Sequence, residues 1–276
     1  MPSPGRTLTA LALVCVAVVA GVMGARWAVQ ELRDPTCEAQ AAGRSHEFTP
    51  EQTANAATIA LVSVQRGLPP RAASIALATA IQESKLRNIS YGDADSLGLF
   101  QQRPSQGWGS AQDVTDPVYA SGRFYDALVQ VDGWQDAVIT QVAQEVQRSA
   151  YPQAYADHEW EGRVLASALT GETPAGLVCR LDAPSGPGAA PSTADKVAQF
   201  GYAAEVDGDQ VTLTASTPAQ AWAVASWAVA HADAEQIVSV QVAGRVWDRE
   251  VDPQTWSSDA GAQAGDDLRV LVQIES

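Results

Sequence analysis

Ala80-Ile-Gln-Glu-Ser84, followed after a polar gap by Asp95-Ser-Leu-Gly-Leu-Phe-Gln-Gln102, is the stretch that decides how this chain folds. The first segment closes an alanine-rich run, Arg71 to Ser84, whose bulky apolar positions Ile75, Leu77 and Ile81 mark a helix suited to close packing. Glu83 falls at its end. There Ala80 and Ile81 strip part of its water, which disfavours the charged form and raises the pKa. A carboxyl still protonated near neutral pH is what a general acid requires.

Working outward, Thr49-Pro-Glu-Gln52 offers a Thr cap, Pro at the first helical position and Gln at the third, so a helix starts there and Gly67 stops it. Leu68-Pro-Pro70 separates it from the run that ends at Ser84. Residues 85–115 lose any helical period, yet Leu86, Tyr91, Leu97, Leu99, Phe100 and Trp108 give the segment enough apolar anchors to be an ordered loop region. Asp116-Pro117 restarts helix, and two more are expected near 135–149 and 153–170.

Residues 182–195, with Ala183-Pro-Ser-Gly-Pro-Gly-Ala-Ala-Pro-Ser-Thr193, read as a linker. Beyond it the chain alternates like strands at 210–214, 237–242 and 268–274, with a capped helix after Thr217 carrying Trp222 and Trp227. Trp222 and Trp227 are expected in the core, and Trp247 and Trp256 in hairpin packing. A small α+β domain is therefore expected over 196–276. At the other end Thr7 to Ala25 holds no charged residue and is long enough to span a bilayer as a helix. The expectation is a single-pass anchor and connector over residues 1–34 with the globular part outside the cell membrane. A cleaved signal peptide and a secreted protein are the alternative.

Cys15 sits in that apolar run. Cys37 and Cys179 flank the intervening domain, so one disulfide between them would clamp its two ends in an oxidising compartment; two free thiols are the other reading. His46, His158 and His231 are scattered, no metal-ligand spacing occurs, and neither metal nor cofactor is expected. The formal net charge is -15, and residues 1–34 carry Arg6, Arg26 and Arg33 against Glu31 and Asp34, so the acidity belongs to the rest of the chain. Nucleic acid is excluded as a partner, because phosphate binding needs clustered Lys and Arg. A polar polymer held by hydrogen bonds and stacking fits instead.

Glu83-Ser84 at a helix end, with Gly98-Leu-Phe-Gln101 in the following loop, resembles the lytic transglycosylases and goose-type lysozymes. The block Leu97 to Gly109 is also similar to that of actinobacterial membrane-anchored proteins with a lysozyme-like segment. The resemblance covers roughly residues 50–170 and implies a mainly helical lysozyme-like domain, set at 35–181. The fold class expected is thus α+β: an N-terminal transmembrane helix, that domain, the Pro/Gly/Ala linker and the small α+β domain.

The resemblance also implies a substrate, the MurNAc–GlcNAc linkage of peptidoglycan glycan strands, and roles. Glu83 would act as acid and then base, with Ser84 supporting its orientation. Gln101 would meet the sugar, with Gln102 beside it and Trp108 able to stack on a sugar face. The acetamido group and 6-hydroxyl of the substrate would replace a second carboxylate and give a 1,6-anhydro product. The Ala-Tyr-Asn motif of relatives has no clear counterpart here; the nearest segment, Arg148 to Tyr155, offers Tyr151 or Tyr155. Asp93, Asp95 or Asp116 could instead activate water in an inverting hydrolase, whose carboxyl groups stand ~6.5–9.5 Å apart. A catalytically silent glycan-binding or scaffold protein of the envelope is the alternative from another class, and residues 196–276 could dock an envelope protein partner.

Overall fold

β1 (Thr36–Ala41) pairs antiparallel with both β2 (Arg44–Phe48) and β3 (Leu177–Arg180), giving a three-stranded sheet in the order β2-β1-β3. The computed structural model describes residues 34–147, 152–258 and 268–276. In the β1–β3 register Cys37 stands opposite Cys179, and the two form a disulfide. Small side chains, Cys37, Ala39 and Ala41, alternate inward along β1.

α1 (Pro50–Gln65) starts on a complete capping box: the Gln52 N–H donates to Thr49 Oγ1 at 3.3 Å and the Thr49 N–H to Gln52 Oε1 at 3.0 Å. α2 (Pro70–Ser84) is buried over most of its length, because its alanines admit neighbouring backbones closely. Beyond the loop region come the short α3 (Ala111–Val114), α4 (Pro117–Leu128) and α5 (Ile139–Gln147). A 3-10 turn, Pro152–His158, leads into α6 (Glu159–Leu169), whose Gly162 lies directly against Ala78 of α2.

After α7 (Ala190–Ala198) the chain builds a second sheet from β4 (Ala203–Asp207), β5 (Gln210–Thr214), β6 (Ile237–Val242), β7 (Arg245–Asp248), β8 (Ser257–Ser258) and β9 (Arg269–Ile274). Its six strands run in the order β4-β5-β9-β6-β7-β8 and pair antiparallel throughout. α8 (Pro218–Ala230) is apolar nearly all round and buried. Its Trp222 meets Trp256 edge-on at 5.1 Å, and Trp256 Nε1–H donates to the Leu177 carbonyl at 2.8 Å. The short α9 (Ala232–Glu235) comes next.

α8 also seals the seam with the first half. Ser226 Oγ donates to the Ala168 carbonyl at 3.1 Å, and His231 Nε2 lies 3.5 Å from Thr58 Oγ1. Gly171 is held at φ +76° with the Ala219 carbonyl oxygen 1.9 Å from where a Cβ would stand, so only glycine fits. Thr36–Ser276 is accordingly one compact unit.

These observations correct the fold class expected from the sequence. No helix among the described residues is long and apolar enough to cross a membrane; residues 7–25, where the sequence predicts a transmembrane helix, lie outside the described residues. The half expected to be mainly helical opens and closes on a sheet. The reason is that Thr36-Cys-Glu-Ala-Gln-Ala41 has weak strand propensity and takes strand form between two partners, the adjoining β2 across the Ala42-Gly43 turn and β3 far along the chain. The expected linker is partly helix: Pro191 occupies the first turn of α7, a position where proline is as suitable as in a linker. The rest of it is tied down, with the Gly188 N–H donating to Glu275 O at 2.9 Å and the Ser185 N–H to Gln236 Oε1 at 2.7 Å.

Candidate functional site

Glu83 is half-buried one residue before α2 ends. The helix stops on two successive residues with positive φ, Lys85 at 56° and Leu86 at 58°, a conformation that costs about 1–2 kcal/mol for a residue with a Cβ. α1 holds them there: Gln52 Nε2–H donates to Lys85 O at 2.9 Å and Asn55 Nδ2–H to Leu86 O at 2.8 Å. The turn carrying the carboxyl is thus clamped from outside.

Tyr155, buried at 1% exposure, donates its hydroxyl to Glu83 Oε1 at 2.6 Å. Gln147 at the end of α5 makes a second side-chain hydrogen bond to the same carboxyl. Burial nonetheless outweighs both bonds, and the Glu83 pKa is raised above the usual carboxylate value. Tyr151 lies outside the described residues.

Ser84 is buried at the end of α2. Its buried hydroxyl lies 2.8 Å from Leu99 O and 3.1 Å from Ala80 O, which fastens the end of α2 to the Gly98–Gln101 loop. Gly98 sits at φ +75° with the Val114 carbonyl oxygen 2.1 Å from a would-be Cβ, so the loop closes on α3 only with glycine there. Gln101, half-buried with φ 48°, folds back so that its Nε2–H donates to Gly98 O at 3.2 Å. Gln102 is core: it is 1% exposed and donates to Ala120 O at 3.1 Å.

Two of the other three candidate carboxylates are engaged. Asp95 Oδ1 accepts from Arg103 Nε at 3.0 Å and Ser105 Oγ at 2.9 Å, while Oδ2 accepts the Ser105 N–H at 2.7 Å. These bonds hold its pKa down at about 2. Asp116 caps α4, with Oδ1 accepting the Val118 and Tyr119 N–H groups at 2.8 and 3.0 Å. Asp93 is exposed at the loop surface.

Beside this turn opens a cleft of about 800 Å³ between the Trp108 loop, α4 and α5. Trp108, Arg123, Gln130, Gln144, Glu145 and Gln147 line it. Gln147 belongs to both places, since it bonds Glu83 and also donates to Phe100 O at 2.7 Å. The structure therefore brings Glu83, Tyr155 and the Gly98–Gln101 loop together, with Trp108 on the adjoining cleft, and sends Ser84 and Gln102 into the core. Gln147 and Arg123 were missed by sequence reasoning. They stand on amphipathic helices, where nothing local separates a site-facing polar residue from a solvated one. No group of His, Cys, Asp and Glu able to hold a metal ion occurs among the described residues. No protein-family model and no curated protein matches the chain.

Proposed function

We propose that this protein cuts peptidoglycan glycan strands at the MurNAc–GlcNAc linkage, with Glu83 as acid and then base. The observation that carries the reading is Glu83 itself: a half-buried carboxyl at a helix end, held by Tyr155 and Gln147 and kept protonated to higher pH by lost hydration. In its protonated form it gives its proton to the glycosidic oxygen as the C1–O bond breaks. The substrate's acetamido oxygen closes onto C1. The Glu83 carboxylate then takes the proton of the 6-hydroxyl, whose oxygen attacks C1, breaks the acetamido oxygen–C1 bond to restore the acetamide, and leaves a 1,6-anhydro end. One carboxyl suffices for this route, and the engagement of both Asp95 oxygens and of Asp116 Oδ1 favours it over an inverting hydrolase built on either residue.

The Cys37–Cys179 disulfide supports work in an oxidising, extracytoplasmic compartment. Purified sacculi digested with the full-length protein should release fragments with anhydro ends, and the Glu83→Gln variant should release none. Reducing ends would mark hydrolysis. If the folded, unsubstituted protein releases nothing, the enzyme reading gives way to a glycan-binding or scaffold role.

A further inference from the structure

Glu83 ends its helix on a turn that the residues of the turn do not themselves favour. Among the described residues, Lys85 and Leu86 are the one adjacent pair other than glycine in which both members take positive φ. The reversal lets their N–H groups close the helix, Lys85 N–H on Ile81 O at 2.9 Å and Leu86 N–H on Ala80 O at 3.1 Å. Glycine is the usual residue at such an ending. With a Cβ present, the conformation persists only where the surroundings impose it.

Two amides of α1 impose it here. Gln52 and Asn55 stand three apart, hence on one face of the helix, and each donates to one carbonyl of the reversed pair, Lys85 O at 2.9 Å and Leu86 O at 2.8 Å. These bonds cross 33 and 31 residues of sequence, so no local preference of the turn accounts for them. Gln52 donates to Lys85 through its NH2 while its Oε1 accepts the Thr49 N–H. One side chain thus fixes the start of α1 and the end of α2. The path from there to the carboxyl is short. Ser84, next to Glu83, is held on Leu99 O, and Glu83 itself meets the Tyr155 hydroxyl at 2.6 Å. Relaxation of Lys85 and Leu86 to negative φ would redirect the chain just beyond Glu83 and disturb both contacts.

We propose that Gln52 and Asn55 are positioning residues for Glu83, holding the reversed Lys85–Leu86 pair so that the carboxyl keeps its half-buried place against Tyr155. The consequence for rate rests on the glycan reading above; the consequence for the carboxyl itself does not.

The test uses full-length protein and variants chosen to spare the fold. Gln52→Glu keeps an acceptor for the Thr49 N–H, so α1 still starts there, and removes the donor to Lys85 O. Asn55→Leu removes the donor to Leu86 O without adding charge. Each should keep its circular dichroism spectrum and lower kcat for release of anhydro fragments about tenfold or more, with KM moved less than about twofold. In Asn55→Leu, carbon-13 NMR of the Glu83 carboxyl, identified by its loss in Glu83→Gln, should show the pKa falling toward the ordinary carboxylate value as water returns. Adding Lys85→Gly, which takes positive φ without strain, should return most of the rate lost in Gln52→Glu. Lys85→Ala removes the same charge but keeps a Cβ, and should not. Folded variants with kcat and Glu83 pKa both unmoved, a loss expressed in KM instead of kcat, or equal rescue by Lys85→Ala would overturn the proposal. If the unsubstituted protein releases no fragments, the glycan reading falls. A lowered Glu83 pKa in Asn55→Leu then still supports the positioning, and an unmoved one overturns it.

Discussion

Replacing Cys37 and Cys179 together by alanine opens a covalent ring that spans 142 residues of sequence. In the chain-entropy relation a ring of that size restricts the unfolded chain by about 5 kcal/mol at 25 °C. Most of that acts on the unfolded state, because in the folded state β1 is also held to β3 by its backbone ladder. For a unit of this size each kcal/mol moves the melting midpoint by roughly 2–4 °C, so the double variant should melt roughly 10–20 °C lower. Both cysteines are fully buried, and the vacated sulfur positions add a smaller loss in the same direction. Thermal unfolding followed by circular dichroism, with reductant-treated native protein as a second arm, measures it. A drop below about 3 °C in both arms, or quantitative thiol labelling of Cys37 and Cys179 in unreduced folded protein, would refute the reasoning.

Tyr155→Phe removes a donor that favours the charged form of Glu83, so its pKa should rise further and the alkaline limb of the pH–rate profile should move to higher pH; an unmoved limb contradicts the assignment. Ser84→Ala leaves the buried Leu99 carbonyl without its hydroxyl donor and should cost about 1–3 kcal/mol in urea unfolding. Gly171→Ala drives a methyl into the Ala219 carbonyl at a positive φ and should cost at least about 2 kcal/mol, seen as a lower urea midpoint. His231, packed on Trp227 and kept neutral by burial, has its pKa lowered from 6.5 to about 4. The unfolded chain binds that proton first, so stability should be flat above about pH 6.5 and fall by about 2–3 kcal/mol as pH drops to 4, toward the low end because His231 keeps some exposure. His231→Phe should flatten that slope in urea titrations at pH 4.5 and 7.5.

Local chemistry was legible in the sequence where a few adjacent residues decide the outcome. Thr49 with Gln52, Asp116 before Pro117 and Thr217 before Pro218 each start a helix in the structure where their side chains said one should start. What escaped depends on partners far along the chain. β1 carries small and polar residues that form a strand between the adjoining β2 and the distant β3, and Pro191 reads equally as linker and as helix start. Within the candidate site, the position of Glu83 at a helix end followed from its apolar neighbours. Which tyrosine reaches it did not, since Tyr151 and Tyr155 stand in similar sequence surroundings and only the fold puts the Tyr155 hydroxyl on the carboxyl. Ser84 and Gln102 share residue types with groove-lining groups, yet their hydrogen bonds to Leu99 and Ala120 turn them inward.

The Gly171 seam has a bearing on how the two halves could ever be taken apart. A cut within residues 182–195 would strip α8 from α1 and α6, leaving the Ala168 carbonyl without Ser226 and baring helix surface that matches no solvent-facing pattern. Neither piece would be a free-standing cassette. Whatever moves or docks the second sheet therefore carries the Glu83 turn with it, so the heading of that turn is set by the whole compact unit and not by a swivelling tether.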